Sequence, residues 1–244
     1  MMSVGSAAMP HAEILDSGGS TFAPVANVWC IGRNYAAHAR ELGNAVPSEE
    51  PVLFLKSSSS VTQLSSGQAL AAVQQGSPLA AETIHYEAEL VLLVGRHVAR
   101  GALGRDDALG CLRALGLGLD LTRREKQAQL KKAGLPWSVS KAFDGSAVLT
   151  PFVPATPLAA ADLADISFEL AINGEVKQTG CVSHMLFDLP TQLRFINQLV
   201  PLLPGDLIFT GTPEGVGPIH RGDQVRMRFL SPASLAHMQV SAEV

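Results

Sequence analysis

The stretch His85-Tyr86-Glu87-Ala88-Glu89-Leu90-Val91-Leu92-Leu93-Val94-Gly95 decides the fold. Glu87 to Val94 reads as a strand that Gly95 closes. Successive side chains of a strand point to opposite sides, so Glu87 and Glu89 share one face. Beyond them the strand is apolar on both faces, the pattern of a strand covered above and below. Two neighbouring carboxylates at the mouth of a buried strand repel each other. Each is costly to strip of water without a compensating positive charge. Two readings stay open: an exposed strand end with solvated glutamates, or a site for a hard divalent cation that takes oxygen ligands.

The pattern recurs further along. Leu115-Gly116-Leu117-Gly118-Leu119 runs into Asp120, a third carboxylate where an apolar strand ends. Asp120 also precedes a helical stretch, so it can serve as an N-cap. Neither CxxC nor HExxH occurs, and no Cys/His cluster has zinc spacing. An all-oxygen donor set of Glu87, Glu89 and Asp120 selects Mg²⁺ or Mn²⁺. His38 and Glu41 are three apart on a short helix and are therefore surface neighbours. A carboxylate beside an imidazole fixes its tautomer and raises its basicity, which makes either a general-base dyad or an ordinary exposed pair. Lys141 lies in a largely uncharged segment and can stabilise an oxyanion or bind a carboxylate. Gly211-Thr212-Pro213-Glu214-Gly215-Val216-Gly217 lacks the lysine of a phosphate loop, and its prolines oppose a helix opening there. Its backbone N–H groups can cradle a carboxylate.

Around these stretches the sequence predicts many short strands. They cover residues 25–31, 51–56, 116–122, 148–152, 166–172, 207–210, 224–229 and 238–240. Asn173-Gly174 between apolar runs signals a hairpin. Helices are expected over residues 34–42, 106–115, 123–133 and 188–199, the third charged and exposed. Residues 61–82 read as loops with short strands. The result is a strand-dominated α+β domain over residues 21–244, after a flexible or edge segment over residues 1–20.

Bulk properties narrow the function. The chain has 244 residues, 47% hydrophobic and 16% charged, enough to bury a core and too apolar for disorder. A net charge of −4 without a basic block argues against nucleic acid or an anionic membrane as partner. No apolar run reaches the roughly 18 residues of a membrane span. The start lacks the basic n-region of a signal peptide. Cys30, Cys111 and Cys181 are few, odd in number and scattered, which fits a reducing cytoplasm better than a disulfide framework.

Six stretches in one order resemble the fumarylacetoacetate hydrolase family. They are Cys30–His38, Phe54-Leu55-Lys56, His85–Glu89, Leu119–Thr122, Leu135-Pro136-Trp137 through Lys141, and Phe209–Gly217. The similarity runs from about residue 25 to the C-terminus. It is greatest to the short branch of acylpyruvate and fumarylpyruvate hydrolases and oxaloacetate decarboxylases. The resemblance implies a mixed β-sheet roll with flanking helices, a homodimer, and Mg²⁺ held by Glu87, Glu89 and Asp120. It implies a lid over about residues 34–45 bearing His38 and Glu41. It places Lys141, Thr212, Gly211, Arg33 and the segment around Ser183 near a 2-oxo acid substrate. His184 stands where the family commonly carries an acid, and Asp144-Gly145 departs from the nearest relatives.

The expected reaction is hydrolysis of a 2,4-dioxo acid to pyruvate and a carboxylic acid, with water activated by the His38–Glu41 dyad. The same enolate serves an oxaloacetate decarboxylase or tautomerase and a 2-hydroxyhepta-2,4-diene-1,7-dioate isomerase. The fold and the three acids do not separate these, and the His38–Glu41 dyad favours the hydrolase. A non-catalytic metal- or oxo-acid-binding protein is the expectation from a different class.

Overall fold

The computed structural model describes residues 9–41, 43, 46–64, 82–156 and 158–243. At its centre the strands Ala88–Val94 and Leu112–Asp120 pair antiparallel, and both are buried over most of their length. Alternation decides where their side chains go. Leu90, Leu92 and Val94 join Leu115, Leu117 and Leu119 in one apolar cluster. Val91 and Leu93 point the other way, into a second cluster with Phe152 and Phe209. The Leu-Gly alternation before Asp120 therefore gives leucines to one face and glycines to the other. Gly118 has no room for a side chain: an added Cβ would lie 2.7 Å from the Val148 carbonyl oxygen and 2.8 Å from the Phe209 ring. Each fully buried leucine contributes about 1.5–3 kcal/mol relative to exposure. The ladder is thus both the core and the floor of the site.

An eight-stranded mixed sheet grows from this pair. On one side Leu207–Phe209 pairs antiparallel with Ala88–Val94 and parallel with Val28–Gly32, which carries the edge strand Val52–Lys56. On the other, Ala147–Leu149 joins Leu112–Asp120 antiparallel and Val61–Gln63 in parallel. A second, four-stranded antiparallel sheet runs in the order Glu175–Cys181, Ser167–Ile172, Gln224–Ser231, Gln239–Glu243. Its Phe168, Leu170, Met227 and Phe229 enter the first cluster. Helix Leu189–Leu199 adds Leu189, Leu193 and Ile196 to the same cluster, and Asp188 caps it by accepting from the Thr191 N–H at 2.9 Å. The strand-dominated α+β expectation and the Asn173-Gly174 hairpin both hold.

One local expectation is narrowed and another fails, for physical reasons. His11–Asp16 and Gly19–Pro24, which overlap the segment read as flexible or edge, form a hairpin. Ala12, Ile14 and Ala23 anchor it in the second cluster, and Phe152 exchanges backbone hydrogen bonds with Glu13 and Leu15. Residues 1–8 lie outside the described set. The helix expected over residues 106–115 is a 3₁₀ turn, Ala108–Cys111, followed by strand. Pairing opposite Val94 to Ala88 captures residues 112–115 into the ladder. Of the 61–82 stretch, Val61–Gln63 is a strand, and residues 65–81 lie outside the described residues. No helix among the described residues is long and apolar enough to cross a membrane.

Candidate metal centre and active site

The three carboxylates meet where the central ladder ends. Glu87 sits between the strands Ile84–Tyr86 and Ala88–Val94. Glu89 faces Gly118 across the ladder, and the Asp120 N–H donates to the Glu87 carbonyl at 2.9 Å. All three residues are buried, and one oxygen of each lies within 4.8 Å of the others. The exposed-strand-end reading is therefore excluded.

Fixed cations surround this cluster. The Lys141 ammonium donates to Glu87 at 2.9 Å, to Asp120 at 2.6 Å and to the Thr122 hydroxyl at 2.7 Å. Arg124 donates to the other Glu87 oxygen at 2.6 Å. Lys56, fully buried, pairs with Asp120 Oδ1 at 2.8 Å and also donates to the carbonyls of Leu121 and Lys141. A carboxylate oxygen has two lone pairs, so Asp120 Oδ1 can accept from Lys56 and still face a further cation. Burial, with Asp120 and Glu87 beside it, pushes the Glu89 carboxyl well above the usual range. Burial also works against an ionised Glu87, yet Lys141 and Arg124 outweigh it and hold that carboxyl well below the usual range. Burial likewise opposes the Lys141 charge, and the Asp120 and Glu87 carboxylates overcome it, keeping the ammonium. Three buried carboxyls of which one, Glu89, is disfavoured in its ionised form by the other two are what a divalent cation would relieve. The donor set fits Mg²⁺ or Mn²⁺.

His38 lies on the short helix Ala36–Glu41. Its Nδ1 faces Glu41 Oε2 at 3.4 Å, a long contact. Burial lowers its pKa below 6.5 against the opposing pull of Glu87 and Glu41, so the imidazole is neutral at physiological pH. The segment leading to it is pinned by Asn34, which donates to the Thr210 carbonyl at 2.8 Å and accepts from the Phe187 N–H at 2.8 Å.

The glycine-rich loop does cradle carboxylates, and they belong to the protein. Gly211 N–H donates to Glu89 at 2.6 Å, and Gly215 N–H reaches both Glu41 oxygens at 3.1 and 3.2 Å. Gly211 holds this place because its φ is 102° and an added Cβ would lie 2.6 Å from Asn34 Cβ. Thr212 Oγ1 donates to the Ala88 carbonyl and accepts from Gln178. One loop thus fixes both an acid of the cradle and the partner of His38.

A pocket opens over the cradle. Glu87, Glu89, Asp120, Lys141, His38, Arg33 and Thr212 line it, as the sequence anticipates. Glu41 and Gly211 stand behind the lining, in contact with His38 and Glu89. Ser183 is not brought to the pocket: the 3₁₀ turn Val182–His184 buries Val182 and leaves Ser183 exposed, its hydroxyl 3.0 Å from Cys181 Sγ. Sequence reading missed Arg124, Gln127 and Lys131, which line the pocket from helix Arg124–Lys132, read as exposed. Their spacing of three and four residues puts them on one face, the signal that was available.

Comparison with known proteins agrees with this geometry. The description "Fumarylacetoacetate (FAA) hydrolase C-terminal" matches residues 27–241. Oxaloacetate tautomerase YcgM of Escherichia coli (strain K12) is 36% identical over 206 residues, covering 84% of this chain and 89% of its own. Mitochondrial oxaloacetate tautomerase FAHD2 of Oryza sativa subsp. japonica is 40% identical over 196 residues, covering 80% and 83%. The crystal structure of fumarylpyruvate hydrolase from Pseudomonas aeruginosa in complex with Mn²⁺ and pyruvate superposes with a TM-score of 0.82 at 31% identity, covering 96% of each chain. With these matches over the same residues that build the pocket, the chain belongs to the fumarylacetoacetate hydrolase family of enzymes.

Proposed function

We propose that the chain is a divalent-metal-dependent tautomerase that interconverts the keto and enol forms of oxaloacetate. The observation that carries this reading is the pairing, in one pocket, of a buried acidic cradle and its Lys141 ammonium with a neutral imidazole at His38. The names of the E. coli and rice relatives support it. The hydrolysis expected from the sequence is the second reading. It is favoured by the Mn²⁺ and pyruvate complex of the P. aeruginosa hydrolase and by the orientation of His38 on Glu41.

Glu87, Glu89 and Asp120 are the residues that would hold the ion, and Mg²⁺ is the proposed occupant. When bound, it supplies Lewis acidity that stabilises an enolate relative to the keto acid. The protein's own groups do the rest. With Nδ1 turned to Glu41, Nε2 of His38 is the nitrogen left to accept the C3 proton. The C–H electron pair becomes the C2=C3 double bond, and the carbonyl pair moves onto oxygen. Lys141, its three N–H groups committed to Glu87, Asp120 and Thr122, stabilises that oxygen through its positive charge. The proton on His38 then passes to that oxygen, which completes the enol and restores the neutral imidazole. A homodimer and a closing segment around His38 belong to the same proposal.

The test offers oxaloacetate, acetylpyruvate and fumarylpyruvate in parallel with Mg²⁺, following enol absorbance, pyruvate and CO₂. Enol–keto interconversion of oxaloacetate faster than pyruvate release supports the tautomerase. Stoichiometric pyruvate plus acid from an acylpyruvate moves the assignment to the hydrolase.

A further inference from the structure

The charges lining the pocket do not all find partners in the protein. Arg124 pairs with Glu87, Lys141 with Glu87 and Asp120, and Glu89 takes the Gly211 N–H. Two cations remain. Arg33 and Lys131 make no ion pair among the described residues, yet both line the pocket. They converge on one platform: the Arg33 guanidinium carbon is 5.9 Å and the Lys131 Nζ 5.0 Å from the centroid of the Trp137 ring. Arg33 Nε is buried with no hydrogen-bond partner. The Arg33 backbone has φ 56°, a conformation rare for a side-chain-bearing residue and found where surrounding structure enforces it. Burial, with Arg33 and Arg124 nearby, draws the Lys131 pKa down to about 8. Two like charges crowded into a pocket rim are costly unless an anion joins them.

We infer that Arg33 and Lys131, seated on Trp137, form a subsite for a second carboxylate, so that the substrates are 2-oxo dicarboxylates rather than 2-oxo monocarboxylates. This rests on the tautomerase reading for the position of the first carboxylate at the acidic cradle. One end of the substrate is then committed to the cradle and Lys141. The other meets a guanidinium that binds carboxylates through paired N–H groups and an ammonium that adds a point charge. The aromatic face holds both cations through cation–π contact while the site is empty.

The test measures selectivity in the metal-loaded full-length protein. Enolisation of oxaloacetate is compared with deuterium incorporation at C3 of pyruvate, which lacks the second carboxylate. The ratio of kcat/KM values is taken for the wild type, Arg33→Gln, Lys131→Gln and Lys131→Arg. A charge-assisted hydrogen bond of about 1.5–3 kcal/mol corresponds to roughly 10–100-fold. The ratio is therefore expected to fall about 10–100-fold in each Gln variant, chiefly through the oxaloacetate KM, and to be retained in Lys131→Arg. Equal losses on both substrates, or no loss, overturn the subsite and leave Arg33 and Lys131 as packing partners of Trp137. Calorimetric titration with 2-oxoglutarate and 2-oxobutyrate reads the same preference without turnover. Tighter binding of the dicarboxylate that vanishes in the Gln variants supports the subsite even if the wild type fails to enolise either acid, which would count against the tautomerase alone. Equal binding of both acids overturns it.

Discussion

The floor of the pocket and its rim are built differently. On the floor Glu89 and Asp120 stand on adjacent strands of one ladder and Glu87 at its end, all buried; Glu87 and Asp120 contact fixed cations at 2.6–2.9 Å, and Glu89 takes the Gly211 N–H at 2.6 Å. On the rim His38 rides a helix of six residues, its partner Glu41 is exposed, and their contact stretches to 3.4 Å. Arg33 and Lys131 come from segments about a hundred residues apart and meet only over Trp137. The floor is preorganised by the core that also stabilises the protein. The rim depends on a short helix and a loop, and its strength comes with the ligand.

That contrast is broken most severely at the floor. Asp120→Asn removes a carboxylate charge from the cradle proposed to hold the metal, and the shared partner of Lys56 and Lys141. Several kcal/mol of Lewis-acid stabilisation corresponds to about 10²–10⁴-fold in rate. Loss of Mg²⁺ binding by calorimetry is expected alongside a comparable fall in oxaloacetate enolisation. His38→Ala is expected to lower kcat by about 10²–10³-fold, the range of a lost general base, with Mg²⁺ affinity close to that of the wild type. Equal loss of metal binding would merge rim and floor into one unit. Gly118→Ala sharpens the claim that the floor is also core. Its Cβ meets the Val148 carbonyl and Phe209, so overpacking of about 1–3 kcal/mol is expected, read as a lower midpoint in urea.

The smallest effect concerns pH. Burial depresses the His38 pKa below 6.5, so the proton-accepting form prevails above that value. The kcat/KM profile should fall on the acid side as the imidazole gains its proton, with its inflection below the ordinary imidazole value. Glu41 opposes the depression, so Glu41→Gln is expected to move the inflection further toward acid. A shift toward alkali would contradict the contact.

The same contrast explains what the sequence discloses. Glu87, Glu89 and Asp120 were legible because a strand's period of two places them by counting. The alternation of Leu115 to Leu119 likewise announced a two-faced ladder, although its reach back to Leu112 was hidden by a helix-like run of residues. The mixed-sheet family fold followed from six ordered motifs. The rim was only partly legible. Arg33 and His38 were named, but helix Arg124–Lys132 looked solvated because its mean composition is charged, and only its tertiary placement turns Arg124, Gln127 and Lys131 inward. Lys56 stood in a quoted motif without a role, since nothing local tells that a lysine on an edge strand ends fully buried beside Asp120. Ser183 was over-read, because a turn of three residues decides which side chain faces out.

The most direct test follows the decay of enol-oxaloacetate by the purified protein with Mg²⁺ and after removal of metal by EDTA, against protein-free controls at matched Mg²⁺. The tautomerase account predicts acceleration over the control that disappears with EDTA, returns on adding Mg²⁺ and is absent from Asp120→Asn. Acceleration that survives EDTA, or none with either Mg²⁺ or Mn²⁺, would contradict it.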